Sequence, residues 1–131
     1  MMKFLCLICA QTMMEAMTEA DAALHYDEYR EFTDNLRRSG RLVSVNRLLP
    51  PDYAVTLRVR NGKVWTTDGP FAETKEHVGG YYVIEARDLA AAIQVASQIP
   101  GARIGCVEVR PIAEDEQTQQ ALGFTRGAHH P

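Results

Sequence analysis

From Lys3 to Cys9 the chain is apolar at nearly every position, the pattern of a strand buried on both faces in the middle of a sheet. The period then changes. Thr18-Glu19-Ala20-Asp21 has the spacing of a capping box, and Tyr29, Phe32 and Leu36 follow at i, i+3 and i+7, the stripe of an amphipathic helix. Arg37 and Arg38 suit the negative end of that helix, and Gly40 is a natural left-handed stop, so the spacing predicts a helix over Glu19–Ser39. Thr12–Met17 reads as a separate turn or short helix. Leu42–Leu49 is a second strand, ended by Pro50-Pro51. Tyr53–Arg60 alternates, with Val55, Leu57 and Val59 on one face and Thr56, Arg58 and Arg60 on the other. Asn61-Gly62 is a strong hairpin signal, because a type I′ turn needs positive φ at both central residues. Lys63–Thr66 then returns as the fourth strand. After an irregular stretch over Thr67–Gly80 come a fifth strand, Tyr81–Ala86, and a helix capped by Asp88 that repeats Leu89, Ala92, Ile93 and Ala96. Pro100-Gly101 stops it, and Arg103–Ile112 is the last strand.

This order, βαβ, hairpin, βαβ, predicts a ferredoxin-like α+β sandwich, an antiparallel sheet with both helices on one face. The hairpin is expected to widen the sheet. Two helices cover only one sheet face, yet Leu5 and Leu7 alternate with Phe4, Cys6 and Ile8, and Tyr81 and Val83 with Tyr82 and Ile84. The second face therefore needs a cover, and the simplest is a second copy of the chain, a homodimer.

Composition narrows the classes. The chain has 131 residues, enough for one domain of about 100–200 residues. Residues 1–112 form that domain and 113–131 a polar tail with a short helix at most. A net charge of −3 leaves no basic footprint, so nucleic acid is not an expected partner. The apolar run near the start is far shorter than the roughly 20 residues that span a bilayer. It is also short for a signal peptide, so the expected location is the cytoplasm, away from membranes. Three cysteines make no disulfide framework. Cys6-x-x-Cys9 has redox or zinc spacing, but residues three apart on a strand point to opposite faces. Reduced thiols are the expectation. His129-His130 reads as a solvated end rather than a metal site.

The chemistry-bearing segment is Thr67–Glu76, where Asp68, Glu73, Lys75 and Glu76 gather with Phe71 on one irregular stretch. A long charged loop is often functional rather than a connector. No phosphate loop, nucleophile elbow, HExxH or dinucleotide fingerprint appears, so no cofactor and no metal are expected.

Asp68-Gly69-Pro70-Phe71-Ala72-Glu73-Thr74-Lys75-Glu76, followed by Gly79-Gly80-Tyr81-Tyr82, resembles the DGPF branch of the YCII-related proteins. Leu57–Val64, Ile99-Pro100 and Val107–Pro111 extend the resemblance over about residues 3–112. It implies a ferredoxin-like fold, a dimer of the α+β-barrel type and a cleft at the sheet face. It implies little chemistry: one YCII-type relative is similar to a dehydrochlorinase acting on a chlorinated hydroxyquinol, and many DGPF genes lie beside genes for extracytoplasmic-function sigma factors. YCII-type members pair a His near the start of the first helix with an Asp soon after it. Here His25 is present, but no Asp lies between Gly40 and Pro51.

The expected function is therefore binding of a small molecule, with cofactor-free proton transfer or elimination on a polar or aromatic substrate as its catalytic form. The alternative is a non-catalytic regulatory module tied to a sigma factor. Asp68 and His25 are the candidate acid–base groups. A turn role would equally account for Asp68, and a carbonyl-bonded core position for His25. Arg58, Phe71, Glu73, Lys75 and Glu76 are candidate ligand contacts. Against this, Glu73 and Lys75 suit a structural ion pair, and Arg58 with Arg60 suits edge-strand protection. Glu108, on the face of Ile104 and Cys106, is expected to pair with an arginine across the sheet or across a dimer interface.

Overall fold

The computed structural model describes residues 1–10, 16–70 and 77–123. Strand β1 (Met2–Cys9) leads to helix α1 (Glu19–Arg38), β2 (Leu42–Arg47) and a 3-10 turn (Pro51–Tyr53). A hairpin of β3 (Val55–Arg60) and β4 (Lys63–Asp68) comes next. The chain then runs through β5 (Gly80–Ala86), α2 (Leu89–Ala96), a second 3-10 turn (Pro100–Arg103), β6 (Cys106–Pro111) and a short α3 (Glu116–Ala121). The local signals act as expected. The Thr18 hydroxyl accepts the Asp21 amide at 3.1 Å, Asp88 caps α2 through the Ala91 amide at 2.9 Å, and Gly40 closes α1 at φ 76°. Asn61 and Gly62 turn the hairpin at φ 51° and 74°, both left-handed. No helix among the described residues is long and apolar enough to cross a membrane.

β2, β5, β1 and β6 pair in that order, antiparallel throughout, so each βαβ half contributes one central and one outer strand. This is the ferredoxin-like α+β arrangement. The core lies between this sheet and the helices. Phe4, Cys6 and Ile8 of β1 and Tyr82 and Ile84 of β5 meet Leu36 of α1, Ala92 and Ala96 of α2, and Ile99. Phe32 stands edge-on to Tyr82 with ring centres 5.2 Å apart, and Thr33 shares a 2.6 Å hydrogen bond with the Tyr82 hydroxyl. A fully buried side chain such as Phe4 or Ile84 contributes about 1.5–3 kcal/mol.

The hairpin does not widen the sheet. β3 and β4 pair only with each other, as a separate two-stranded sheet. Val55, Leu57, Val59, Val64 and Trp65 are all more than half exposed. Strand alternation reported two unlike faces correctly but carries no information on which edge, if any, a hairpin joins. β4 also runs on to Asp68, so the first two residues of the expected loop are strand. On the open face of the large sheet Leu5, Leu7, Tyr81 and Val83 form a half-buried apolar centre. Glu108 on that face pairs with Arg110 of its own strand at 2.6 Å, not across the sheet.

Candidate functional site

Beside the core stripe of α1, one residue further round the helix, runs a second stripe: Tyr26, Arg30, Thr33 and Arg37. It faces the edge strand β2 across a cavity of about 730 Å³. Ile8, Val45 and Tyr82 line it from the sheet, with Arg47 and Leu48 at the β2 end. The walls are mainly apolar, and the polar groups are few and convergent, which is the usual make-up of a small-molecule site.

Those polar groups are ordered. Arg30 pairs with Asp27 at 2.8 Å and Arg37 with Asp34 at 3.3 Å, both one helical turn away. Arg47 makes no ion pair among the described residues; its guanidinium lies 5.7 Å from the Tyr26 ring centre. Stacking on an aromatic face orients a guanidinium without consuming its in-plane donors. Arg47 can therefore still offer a bidentate fork to a carboxylate or phosphate. Burial pushes the Tyr29 hydroxyl up to about 12, so Tyr29 is a protonated hydrogen-bonding group across the physiological range.

The entry into β5 also belongs to this cavity. Gly79 and Gly80 line the wall. The Gly79 amide donates to the Ile8 carbonyl at 2.8 Å, and its carbonyl accepts from Leu48 at 2.9 Å. At Gly80 a Cβ would stand 2.9 Å from the Asn46 carbonyl oxygen, so only glycine lets β5 begin this close to β2.

Of the residues picked out by sequence, Asp68 ends β4 opposite Val55, exposed. Next to it the Gly69 amide donates to Ala54 at 2.8 Å, and its carbonyl accepts from the Thr56 hydroxyl at 2.8 Å. Phe71, Glu73, Lys75 and Glu76 lie outside the described residues, as does most of Thr12–Met17. Arg58 faces Trp65 on the hairpin, beside Arg60 and Lys63 and away from the cavity. His25, four residues before Tyr29, continues the sheet-facing stripe of α1; it is only 4% exposed and does not line the cavity. Its ring stands edge-on to Tyr29 at 4.9 Å. Among the described residues its Nε2 has no hydrogen-bond partner, and burial, the largest influence, lowers its pKa. The sequence reading missed Tyr26, Thr33 and Arg47. The available signal was the semi-polar stripe at helical spacing directly beside the apolar one.

An antiparallel ferredoxin-like sheet with a cavity under its first helix defines a class of small α+β proteins. Within that class the YCII-related domain matches residues 2–116, and the chain belongs to the YCII-related family. An uncharacterized protein of Rhizobium meliloti (strain 1021), R00369, is 43% identical over 77 residues, which are 57% of this chain and 62% of that protein. This chain thus covers less than two-thirds of that relative's length.

Proposed function

We propose that this protein binds a small organic molecule with an apolar, aromatic body and an anionic end in the cavity between α1 and β2. The observation that carries this reading is the placement of Arg47. It is a cation without an ion pair among the described residues, stacked on Tyr26 at the mouth of a mainly apolar cavity. The apolar wall would hold the ring of the ligand and Arg47 its charge. In the catalytic form, proton transfer or elimination without a cofactor, Asp68 supplies the base from the end of β4, and the described chain reaches the cavity wall with Gly79 and Gly80. A second copy covers Leu5, Leu7, Tyr81 and Val83 on the open sheet face, leaving the cavity on the opposite face accessible.

The test is a thermal-shift screen with benzoate, hydroxybenzoates and chlorinated phenols. Carboxylates should raise the melting temperature, and Arg47→Ala should weaken them about 10- to 100-fold, the worth of a charged hydrogen bond of about 1.5–3 kcal/mol. Equal responses from wild type and variant would reject Arg47 as the anchor. The second reading, a ligand-sensing module that contacts another protein, is favoured by the hairpin. Its exposed Val55, Leu57, Val59 and Val64 form an apolar face apart from the core, and a sigma factor is the partner the family resemblance suggests. Binding without turnover of any compound in the screen would favour this reading over the enzyme.

A further inference from the structure

Along β1 the side chains alternate, so Cys6 points into the core and Cys9 onto the open sheet face. In the β1–β6 ladder Cys9 stands directly opposite Cys106. The ladder type at that position follows from its other end. The Ile112 amide donates to the Lys3 carbonyl at 2.9 Å, which makes Lys3 and Ile112 a hydrogen-bonded pair. The register is unbroken from Phe4 to Cys9, so every second pair, Leu5–Arg110, Leu7–Glu108 and Cys9–Cys106, is of the same type. Such pairs hold their α-carbons about 5.5 Å apart, inside the range of about 4.4–6.8 Å that a disulfide bridges.

The approach is enforced by packing. Gly105, which delivers Cys106 into β6, lies on the end of β1. A Cβ there would stand 2.4 Å from the Cys9 carbonyl oxygen and 2.8 Å from the Ala10 α-carbon. The Gly105 amide is tied to the Gly101 carbonyl at 2.9 Å. Cys106 is exposed and Cys9 half-buried, whereas Cys6 is fully buried. Burial pushes the Cys6 thiol up to about 11, which keeps it unreactive and makes it an internal control.

We propose that Cys9 and Cys106 form a redox-active dithiol, closed to an intramolecular disulfide by hydrogen peroxide and reopened by thiol reductants. The Cys106 thiolate attacks one peroxide oxygen. The O–O bond breaks, the attacked oxygen stays on sulfur as a sulfenic acid, and the other leaves as water after taking a proton. The Cys9 thiol then attacks the sulfenic sulfur. The S–S bond forms, and the hydroxyl leaves with the Cys9 proton as a second water. Each sulfur loses one electron and the peroxide gains two. Reopening consumes two equivalents of a monothiol, which leave as their own disulfide. A bridge across a hydrogen-bonded pair closes under strain, and strain makes it more reducible. Ile8 and Ala10, on either side of Cys9, line the α1–β2 cavity, so the dithiol sits directly behind the ligand site.

The experiment treats the reduced full-length protein with hydrogen peroxide, alkylates it after unfolding, and maps peptides without reductant. The expected result is a chain lighter by two hydrogen atoms, a Cys9–Cys106 linked peptide, alkylation at Cys6 alone, and full reversal by dithiothreitol. Cys6→Ser should leave the bridge intact. Cys9→Ser should leave a Cys106 sulfenic acid that dimedone traps. Recovery of Cys9 and Cys106 both alkylated, their over-oxidation without a link, or links only between chains would overturn the proposal. The wild-type map decides it even if a variant fails to fold.

Discussion

The Tyr29 hydroxyl accepts the Gly101 amide hydrogen at 3.0 Å, which ties the middle of α1 to the 3-10 turn after α2. The contact leaves no space. A Cβ at Gly101 would stand 2.6 Å from that hydroxyl oxygen and 2.8 Å from Ile8 Cγ2. Gly101 is buried, so its amide has no water to fall back on. Tyr29→Phe should therefore cost about 1–3 kcal/mol, the penalty of an unsatisfied buried donor rather than the smaller net worth of one hydrogen bond. Gly101→Ala should also destabilise. The double variant should lose less than the sum, since removing the hydroxyl removes half the clash. Urea unfolding of the three variants measures this, and strict additivity would show that the two sites do not communicate.

One turn before Tyr29, His25 gives a pH signature. Its ring is buried among α1 and the second 3-10 turn, with Tyr29 edge-on and the Glu28–Arg103 ion pair alongside. Burial lowers its pKa below 6.5; Glu28 opposes the shift and Arg103 adds to it. The unfolded chain therefore takes up a proton at a higher pH than the folded one. The stability that His25 contributes is fully present above the unfolded pKa and is lost as pH falls below it. Between about pH 7 and pH 5 the wild type should lose more stability than His25→Leu, in which this proton uptake is absent. Urea midpoints across that window test it; parallel curves would show that His25 titrates as it does in the unfolded chain.

The same helix shows what the sequence could and could not tell. Its limits were legible because Thr18 and Gly40 each do one local job, and its core face because Tyr29, Phe32 and Leu36 repeat at helical spacing. The cavity was not legible. Tyr26, Arg30, Thr33 and Arg37 look like an ordinary solvated flank until β2 is placed opposite them, and that placement depends on long-range pairing of β2 with β5. The independence of the hairpin was hidden for the same kind of reason. Asn61-Gly62 fixes the turn and the turn fixes the register, but neither fixes what the two strands rest on. In the sequence Asp68 and His25 stand out only as titratable groups, one in a charged segment and one on a helix. The fold puts one on an exposed strand end and the other inside the helix packing, and neither lines the cavity.

The proposed dimer rests on the open face. Leu5 and Leu7 of β1 stand opposite Val83 and Tyr81 of β5, flanked by Lys3 and Glu85 at one end and Glu108 and Arg110 along β6. A stable association needs about 1,000 Å² or more of buried surface, and an apolar centre with a charged rim is the usual anatomy. Light scattering should return twice the chain mass of 14.6 kDa at micromolar concentration. Leu7→Lys should shift it toward that mass while the helical signal survives. A monomeric wild type would sink the proposal.

Asp68 separates site from scaffold. Among the described residues its exposed carboxylate makes no hydrogen bond or ion pair, and its backbone is held by strand pairing with Val55. Asn keeps the size and the strand geometry, so Asp68→Asn should change stability by no more than about 0.5 kcal/mol, as an exposed substitution does. The amide can neither carry charge nor take up a proton as a base. If Asp68 serves the cavity, the variant should bind aromatic carboxylates with wild-type affinity, because Arg47 anchors them, yet lose turnover of any substrate found among them. Arg47→Ala should do the reverse, weakening binding with little effect on kcat at saturation. Parallel titrations and rate measurements on the two variants read this split directly. Full turnover by Asp68→Asn would leave Asp68 as a hairpin residue and move the search for a base to Asp34, the carboxylate that lines the cavity.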